Sequence, residues 1–196
     1  MSEDALDLQM LIRAAQRGDE DAFETLLSRF ETPIYRYVYT ILGNSTDAED
    51  VTQEVFIKLW RTLPRYRFGA SFYTYLTKIA RNAAHDCLRS RAKRARVLSL
   101  DAADDPDDEP PPLPDTDPQN DPAKAYLDAE KSEMLQKALL SLPEDMREII
   151  TLRAIGGHDY TEIAAILSIH EGTVKSRLHR ARNFLIKVLE SGNFFE

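Results

Sequence analysis

The sequence predicts an all-α fold, with two small helical domains joined by a flexible acidic linker. Apolar residues recur at spacings of three and four along both ends of the chain, which is the period of a helix that buries one face. Only seven of the 196 residues are glycine, and no alternating strand pattern competes with the helical one. Between the two ends, residues 101–121 contain nine acidic residues and six prolines without a Lys or Arg, a composition typical of segments that do not fold alone.

The first domain, residues 1–96, is predicted to contain four helices, at about 5–17, 20–41, 47–63 and 70–95. Gly43 ends the second of these helices. Pro33 is expected to bend or split that helix, because proline removes a backbone donor and clashes with the preceding turn. Thr46 and Glu49 have the spacing of a capping box, which predicts the start of the third helix.

The second domain, residues 123–196, follows a predicted linker at 97–122 and is also expected to be helical. Its helices are predicted near 123–141, 144–154, 160–168 and 171–190. Breaks between them are predicted at Leu142-Pro143, Gly156-Gly157 and Ile169-His170.

The charges of the chain are segregated along the sequence. The formal net charge is −8, which by itself argues against a nucleic-acid partner, yet without the nine acids of 101–121 the remainder carries +1. Residues 61–96 contain ten Lys or Arg and one acid, and residues 172–187 contain five Lys or Arg and no acid. The first 55 residues are the reverse, with twelve acids and four bases. This pattern indicates different partners for different segments.

Composition also excludes several classes of protein. Cys87 is the only cysteine, so neither a disulfide framework nor a Cys-based metal site is expected. His85 lies two residues from it, but on a helix the two side chains point to different faces. The N-terminus lacks a signal-peptide pattern, and no apolar run reaches the ~20 residues of a membrane span. We expect a cytoplasmic protein that is not an enzyme and binds no metal or cofactor.

Residues 160–181 have the layout of a helix-turn-helix. Thr161 is expected to cap a short helix whose inward positions are Ile163, Ala164 and Leu167. A basic second helix follows a tight turn, as in proteins that read the major groove of DNA. Its outward residues are Lys175, Ser176, Arg177, His179 and Arg180. The alternative is a solvated basic face on an ordinary amphipathic helix.

Two further segments carry partner signals. In 47–60, Asp50, Gln53 and Glu54 share one helical face, which is either a solvated acidic face or a docking site for a basic partner. In 65–94, aromatic residues are interleaved with basic ones, and single-stranded DNA recognition uses both stacking and phosphate neutralisation. The amide of Asn82 is suited to hydrogen-bond a base taken out of the duplex.

These motifs together resemble the sigma-70 family of RNA polymerase sigma factors, in its minimal extracytoplasmic-function class. Residues 142–182 look like sigma region 4, 47–60 like region 2.2 and 65–94 like regions 2.3 and 2.4, with Tyr75 where the family usually has Trp. The resemblance implies three partners: core RNA polymerase, promoter DNA and an anti-sigma factor. The EGTVKS hexamer at 171–176 also resembles LuxR-type regulators, so a LuxR-like DNA-binding regulator is the first alternative. An acidic helical adaptor that binds proteins is the second.

The resemblance also implies a role for each set of residues. The residues implied to contact core RNA polymerase are Asp50, Gln53, Glu54, Phe56 and Lys58. Contact with the promoter −10 element falls to Phe72, Tyr73, Tyr75, Lys78, Arg81 and Asn82. Contact with the −35 element falls to Thr173, Lys175, Ser176, Arg177, His179 and Arg180.

The acidic linker has three interpretations. Its length of roughly 65 Å as an extended proline-rich chain suits a spacer between two promoter elements, with acids that only keep it solvated. By resemblance, its carboxylates mimic nucleic acid inside a polymerase channel. Alternatively they shield the basic faces of the protein itself.

Overall fold

A computed structural model describes residues 3–98 and 134–191 of the chain, and the side chains of 6–94 and 134–190. Most of the predicted linker, from residue 99 onward, and the first part of the helix predicted at 123–141 lie outside the described residues. Within the described ranges the secondary structure is entirely helical, as the sequence predicts. We call residues 3–98 the first half and residues 134–191 the second half.

The first half contains four helices, which are α1 (Glu3–Gln16), α2 (Glu20–Leu42), α3 (Ser45–Thr62) and α4 (Phe72–Leu98). A short 3-10 turn, Leu63–Arg65, follows α3. Helix α2 lies at the centre and packs against the other three. The fully buried side chains between them include Leu26, Ile34, Val55, Leu59 and Leu76.

The second half contains α5 (134–140), α6 (Glu144–Ile150), α7 (Tyr160–Leu167) and α8 (Glu171–Ser191). A π-helical turn, Thr151–Ile155, continues α6. Helices α6 and α7 pack against α8, so α7 and α8 form the predicted helix-turn-helix. Ile163 is buried as predicted, and Ile166 is buried with it, whereas Ala164 and Leu167 are only half-buried.

Helix boundaries differ from the predictions where two capping residues compete. Asn44 begins α3, because its side chain accepts a hydrogen bond from the Asp47 amide at 2.8 Å, and the predicted capping box of Thr46 and Glu49 is therefore wrong. Asp159, not Thr161, begins α7 and forms a complete capping box with Glu162. Asn44 directly follows the left-handed Gly43, and Asp159 lies two residues after the left-handed Gly157. Asn and Asp side chains cap helices at least as well as Thr.

Pro33 does not split α2. The helix runs unbroken from Glu20 to Leu42. Its N-terminus is capped by Asp19, which accepts a hydrogen bond from the Ala22 amide at 3.0 Å. The helix ends at Gly43, whose φ of 69° places it in the left-handed region that favours glycine.

The two halves pack against each other. The C-terminal turns of α2 contact α6 and the π-helical turn, and α7 contacts α4. Arg147 of α6 binds both halves, because its guanidinium donates to the carbonyl oxygens of Ile41 and Leu140 at 2.9 Å each. These carbonyls lie at helix ends, where no helical amide remains to pair with them. We call this packing the closed arrangement.

Replacing Gly43 by alanine is expected to destabilise the protein more than replacing Gly18 by alanine. Both glycines have a positive φ, so each alanine costs roughly 1–2 kcal/mol of backbone strain. An added Cβ at Gly43 would lie 2.7 Å from a methyl group of Leu140, whereas one at Gly18 would meet nothing within 4 Å. Overpacking should add about 1–3 kcal/mol to the loss in the unfolding free energy measured with urea. If Gly43→Ala and Gly18→Ala lose the same unfolding free energy, Leu140 does not restrict the space beside Gly43.

Candidate nucleic-acid interface

The aromatic residues near the start of α4 divide into core and partly exposed groups. Phe72 is only 4% exposed and packs edge-on against Phe30, with ring centroids 5.3 Å apart. Tyr75 is half-buried, and its hydroxyl donates to the Thr62 hydroxyl at 2.7 Å. Phe72, which was predicted to contact the −10 element, is therefore part of the core, while Tyr75 remains partly exposed to solvent.

Asn82 is exposed beside an open cleft of about 540 Å³, which is the size of a small-ligand site. The cationic side chains of Lys58, Arg81 and Arg89 line the cleft, and so do the carboxylates of Asp86 and Glu144. Asn82 thus presents its amide to solvent beside charges of both signs. Lys78 is also exposed on α4.

Arg81 is covered by the second half. Glu148 of α6 accepts a hydrogen bond from Arg81 Nε at 2.7 Å and another from Arg81 Nη2 at 3.3 Å. His85 Nε2 lies 2.9 Å from the same carboxylate. Glu148 is 5% exposed, so these partners balance a charge that is almost completely removed from water.

The pKa values around Glu148 reflect this pairing. Burial raises the pKa of Glu148, but hydrogen bonds from His85 and Arg81 outweigh it and leave the pKa below its usual value. Burial, followed by the negative charge of Glu148, raises the pKa of Tyr37 well above its usual value. The carboxylate is therefore ionised at neutral pH, beneath the helices of both halves.

Tyr73, another predicted −10 residue, is covered at the start of α7. Its ring stacks on the ring of His158, with centroids 4.7 Å apart and an interplanar angle of 16°. His158 is 1% exposed, and its Nε2 lies 3.0 Å from the Thr77 hydroxyl of α4. An aromatic surface of the first half is therefore already stacked against an aromatic ring of the second.

Glu162 makes the third contact between α7 and α4. One carboxylate oxygen accepts hydrogen bonds from the hydroxyls of Ser71 and Thr74, both at 2.7 Å. Burial opposes ionisation, but these two bonds and one from the Asp159 amide lower the pKa of Glu162 to about 2. Glu162 is therefore a carboxylate held by hydroxyl donors at the start of α4.

The predicted −35 residues lie on α8, which is the second helix of the helix-turn-helix. Val174, Leu178 and Ala181 anchor this helix in the core. The opposite face is open to solvent. Lys175, Ser176, His179 and Arg180 are exposed there, while Thr173 and Arg177 are half-buried.

The acidic face of α3 is also open to solvent. Asp50, Gln53 and Glu54 are exposed on adjacent turns. Phe56, predicted with them, is 7% exposed and belongs to the core. Lys58 is exposed but lines the Asn82 cleft, so it lies toward α4.

The sequence did not single out Glu148, His158 or Glu162. Glu148 occupies a core-facing position one turn before the fully buried Leu152, and a carboxylate in the buried stripe of a helix is a signal that sequence can give. His158 and Glu162 gave no such signal, because both lie at a helix start where polar residues are common. Among the described side chains, no group of three or more His, Cys, Asp or Glu is placed to hold a metal ion.

Two histidines should give the closed arrangement a maximum in stability near pH 6.5. The hydrogen bond to Glu148 raises the pKa of His85, so its contribution is complete below 6.5 and is lost as pH rises through the raised pKa. Burial lowers the pKa of His158, so its contribution is complete above 6.5 and is lost as pH falls through the lowered pKa. The radius of gyration, measured by X-ray scattering, should be smallest at pH values between the lowered pKa of His158 and the raised pKa of His85.

The His85→Gln and His158→Gln variants separate the two effects. His85→Gln should remove the change on the alkaline side, and His158→Gln the change on the acidic side. A radius of gyration that does not vary from pH 5 to 8 in the parent chain would contradict this account.

Comparison with known proteins agrees with the architecture. The family model Sigma-70 region 2 matches residues 26–94, and Sigma-70, region 4 matches residues 132–185. Among solved structures, the chain is similar to the sigma factor RpoE of Bartonella quintana in complex with the anti-sigma factor NepR. The TM-score is 0.67 at 26% identity, and the match covers 86% of this chain and 96% of that one.

Two relatives match nearly the whole chain. The chain is 35% identical over 185 residues to the RNA polymerase sigma-H factor of Pseudomonas aeruginosa, and the match covers 93% of each protein. It is 37% identical over 182 residues to the ECF RNA polymerase sigma-E factor of Escherichia coli, again over 93% of each.

Family membership also decides between the alternatives. A region 2 match over residues 26–94 is not expected of a LuxR-like regulator or of a helical adaptor, so both alternatives are wrong. No helix in the described parts of the chain has the length and apolar character needed to cross a membrane. With relatives at 35–37% identity along almost its whole length, this chain belongs to the extracytoplasmic-function (ECF) sigma factors of the sigma-70 family, which direct transcription initiation by RNA polymerase and are not enzymes themselves.

Proposed function

We propose that three separate surfaces divide the work of initiation in this sigma factor. The acidic face of α3, formed by Asp50, Gln53 and Glu54, docks on core RNA polymerase, with Lys58 at its edge. Solvent exposure of all four side chains supports this role. Carboxylates and an amide on one face suit a basic partner surface. Phe56 is left out, because it is a core residue.

The −10 element meets α4 as a single strand. The residues proposed to contact it are Tyr73, Tyr75, Lys78, Arg81 and Asn82. The observation that carries this assignment is the exposed amide of Asn82 beside a cleft whose lining includes Lys58, Arg81 and Arg89 together with the acids Asp86 and Glu144. A base that leaves the duplex needs such an amide, and the flanking phosphates need the cations. Phe72 supports the site from the core and does not contact DNA.

The −35 element meets α8 in the major groove. Arg180 and Lys175 are exposed on the face opposite the buried anchors, and Ser176 and His179 lie beside them. Arg177 and Thr173 complete the surface from half-buried positions. Arginine pairs with guanine through two hydrogen bonds, which is the commonest specific contact in the major groove.

An anti-sigma factor and a cytoplasmic location complete the proposal. The similar RpoE structure is a complex with the anti-sigma factor NepR, which supports an anti-sigma partner for this chain as well. We place the protein in the cytoplasm, because its two proposed partners, RNA polymerase and promoter DNA, are found in that compartment. We also propose that residues 1–96 form the first domain, 97–122 the linker and 123–196 the second domain.

Reconstituted transcription tests the proposal. Purified core RNA polymerase, with and without this protein, is given fragments of the host genome, and transcript start sites are mapped. We expect initiation at a defined set of promoters only when the protein is present. Failure to form a stable complex with core polymerase would contradict the docking role given to α3.

A further inference from the structure

We propose that Gln16 of α1 is a positioning residue for promoter opening, because it fixes the segment of chain that supports Tyr75. This inference rests on the proposed function, which gives Tyr75 a contact with the −10 strand. Helix α1 ends at Gln16 and precedes the stretch that matches Sigma-70 region 2, which begins at residue 26. The inference gives α1 a part in initiation, although α1 belongs to none of the three proposed surfaces.

The side-chain amide of Gln16 joins the end of α1 to the segment between α3 and α4, residues 63–71, which we call the connecting loop. Its Nε2 atom donates to the carbonyl oxygen of Leu63 at 3.0 Å and to that of Tyr66 at 2.9 Å. Leu63 is fully buried and Tyr66 is 8% exposed, so these carbonyl groups have little access to water. One side chain therefore fixes both ends of the 3-10 turn that begins the connecting loop.

A second residue of α1 holds the connecting loop on its exposed side. The guanidinium of Arg13 lies over the ring of Phe68, 5.4 Å from the ring centroid, which is a cation–π distance. Phe68 in turn packs edge-on against Tyr66, with ring centroids 5.2 Å apart. Arg13 and Gln16 are neighbours on the helix surface at i and i+3. Two contacts from one face of α1 therefore converge on Tyr66.

Tyr66 connects the loop to Tyr75 of α4. The two ring centroids lie 4.9 Å apart, a separation at which aromatic rings attract each other. The hydroxyl of Tyr66 donates to the carbonyl oxygen of Ala70 at 2.7 Å, which fixes the orientation of its ring. The hydroxyl of Tyr75 donates to the Thr62 hydroxyl at 2.7 Å. Both neighbours of Tyr75 therefore adjoin the carbonyl groups that Gln16 binds.

The orientation of Tyr75 should decide how well it contacts the −10 strand. Its ring is half-buried, so only part of it is available to a base. A side chain in a binding site works well only when neighbouring residues hold it close to its productive position. Without the bonds from Gln16, we expect the connecting loop to adopt other conformations that leave Tyr75 misplaced. Opening then slows in proportion to the fraction of molecules in which Tyr75 is in place.

The Gln16→Met variant tests this role, since methionine is about as long as glutamine but cannot donate a hydrogen bond. Gln9→Met is the matched control, because Gln9 is half-buried like Gln16 and lies about two turns earlier on the same helix. The DNA is a promoter found by the reconstituted transcription described above, labelled with a fluorescent dye in its −10 element. Stopped-flow fluorescence with assembled holoenzyme gives the opening rate.

We expect Gln16→Met to slow opening about fivefold, because one hydrogen bond shifts an equilibrium by roughly two- to tenfold. Gln9→Met should change the opening rate by less than about twofold. The affinity for core polymerase should stay the same in both variants, since neither substitution touches the acidic face of α3. An unchanged rate in Gln16→Met would overturn the inference. Equal slowing in both variants would overturn it too, because a general weakening of α1 would then explain the effect.

A double-mutant cycle shows whether Gln16 acts through Tyr75. Tyr75→Leu removes the ring and keeps an apolar side chain, and it should slow opening about tenfold, as expected for a lost base–aromatic stack. Adding Gln16→Met to Tyr75→Leu should slow opening no further. Slowing by the product of the two single effects would overturn the inference and leave the proposed function intact. An unchanged rate in Tyr75→Leu alone would instead contradict the proposed −10 contact of Tyr75, and the inference would fail with it.

Hydrogen exchange measures the same support without DNA or polymerase. The backbone amides of Tyr66 and Gly69 are hydrogen-bonded within the connecting loop, at 3.0 and 2.6 Å. In the free chain their exchange should become about fivefold faster in Gln16→Met, because local opening of the loop costs less free energy. Gln9→Met should leave it unchanged. Equal exchange rates in Gln16→Met and the parent chain would overturn the inference.

Discussion

Asn82→Ala is expected to slow open-complex formation at least tenfold while leaving the affinity for core RNA polymerase unchanged. A side chain that hydrogen-bonds a base edge through two bonds contributes about 1–3 kcal/mol of discrimination, which corresponds to roughly 5- to 150-fold. Asn82 is exposed on α4, so truncation of its side chain should leave no cavity in the core. Stopped-flow fluorescence of a labelled promoter with reconstituted holoenzyme measures the rate of opening.

Gln53→Ala is the reciprocal control, because it also truncates an exposed amide, on α3 rather than on α4. It should weaken binding to core polymerase and leave the opening rate of the assembled holoenzyme unchanged. If Asn82→Ala weakens core binding as much as Gln53→Ala does, the division of work between α3 and α4 is wrong.

Arg180→Ala should remove most of the discrimination at the −35 element. Arg180 is exposed on the outward face of α8, where a guanidinium can pair with the acceptor edge of guanine. Losing such a pair costs about 1–3 kcal/mol against the intact element and little against a scrambled one. The ratio of transcription from the intact and scrambled promoters should therefore fall at least fivefold.

Lys187→Ala provides the matched control, since Lys187 is also exposed and basic but lies two turns further along α8. It should lower transcription from both promoters by a similar factor, because phosphate contacts carry no sequence information. An unchanged promoter ratio in Arg180→Ala would remove Arg180 from the base-reading residues.

The helices were largely predictable from their amphipathic periods and from breaks such as Gly43 after α2 and Pro143 after α5. The residues at which α3 and α7 begin were harder to predict. Asn44 and Asp159 lie close to Thr46 and Thr161, and which side chain caps the helix depends on the backbone conformation of each residue. Sequence alone does not supply that conformation.

The exposure of the outward residues of α8 was also predictable. Arg180 and Lys175 follow from the period of α8, since the buried anchors fix the opposite face. The aromatic residues were harder. Phe72 is a core residue only because Phe30 of α2 packs against it, and that neighbour is distant in sequence. The sequence pattern of an aromatic residue in a basic segment is the same whether the side chain stacks on a base or on another ring of the protein.

The contact between the halves could not be predicted from the sequence. Glu148 pairs with Arg81 across 67 positions, and Glu162 pairs with Ser71 across 91. Each carboxylate belongs to a short amphipathic helix in which an acidic residue is ordinary. Only the docking of α6 and α7 on the first half shows that these acids contact Arg81 and Ser71. The acids of the predicted linker, which lie outside the described residues, do not enter this account.

In the closed arrangement Glu148 binds Arg81 and His158 stacks on Tyr73. Both α4 residues are proposed to contact the −10 strand, so we expect these two contacts between the halves to break when the strand binds.

Energy transfer between dyes on the two halves tests this account most directly. In a Cys87→Ser background, dyes are attached at Glu31→Cys and Glu190→Cys, two positions that are exposed and outside every proposed surface. We predict high transfer in the free protein, and a large loss of transfer in the complex with core polymerase and promoter DNA. The Glu148→Gln and Glu162→Gln double variant should show reduced transfer even when free. Equal transfer in the free protein and the promoter complex would contradict the account.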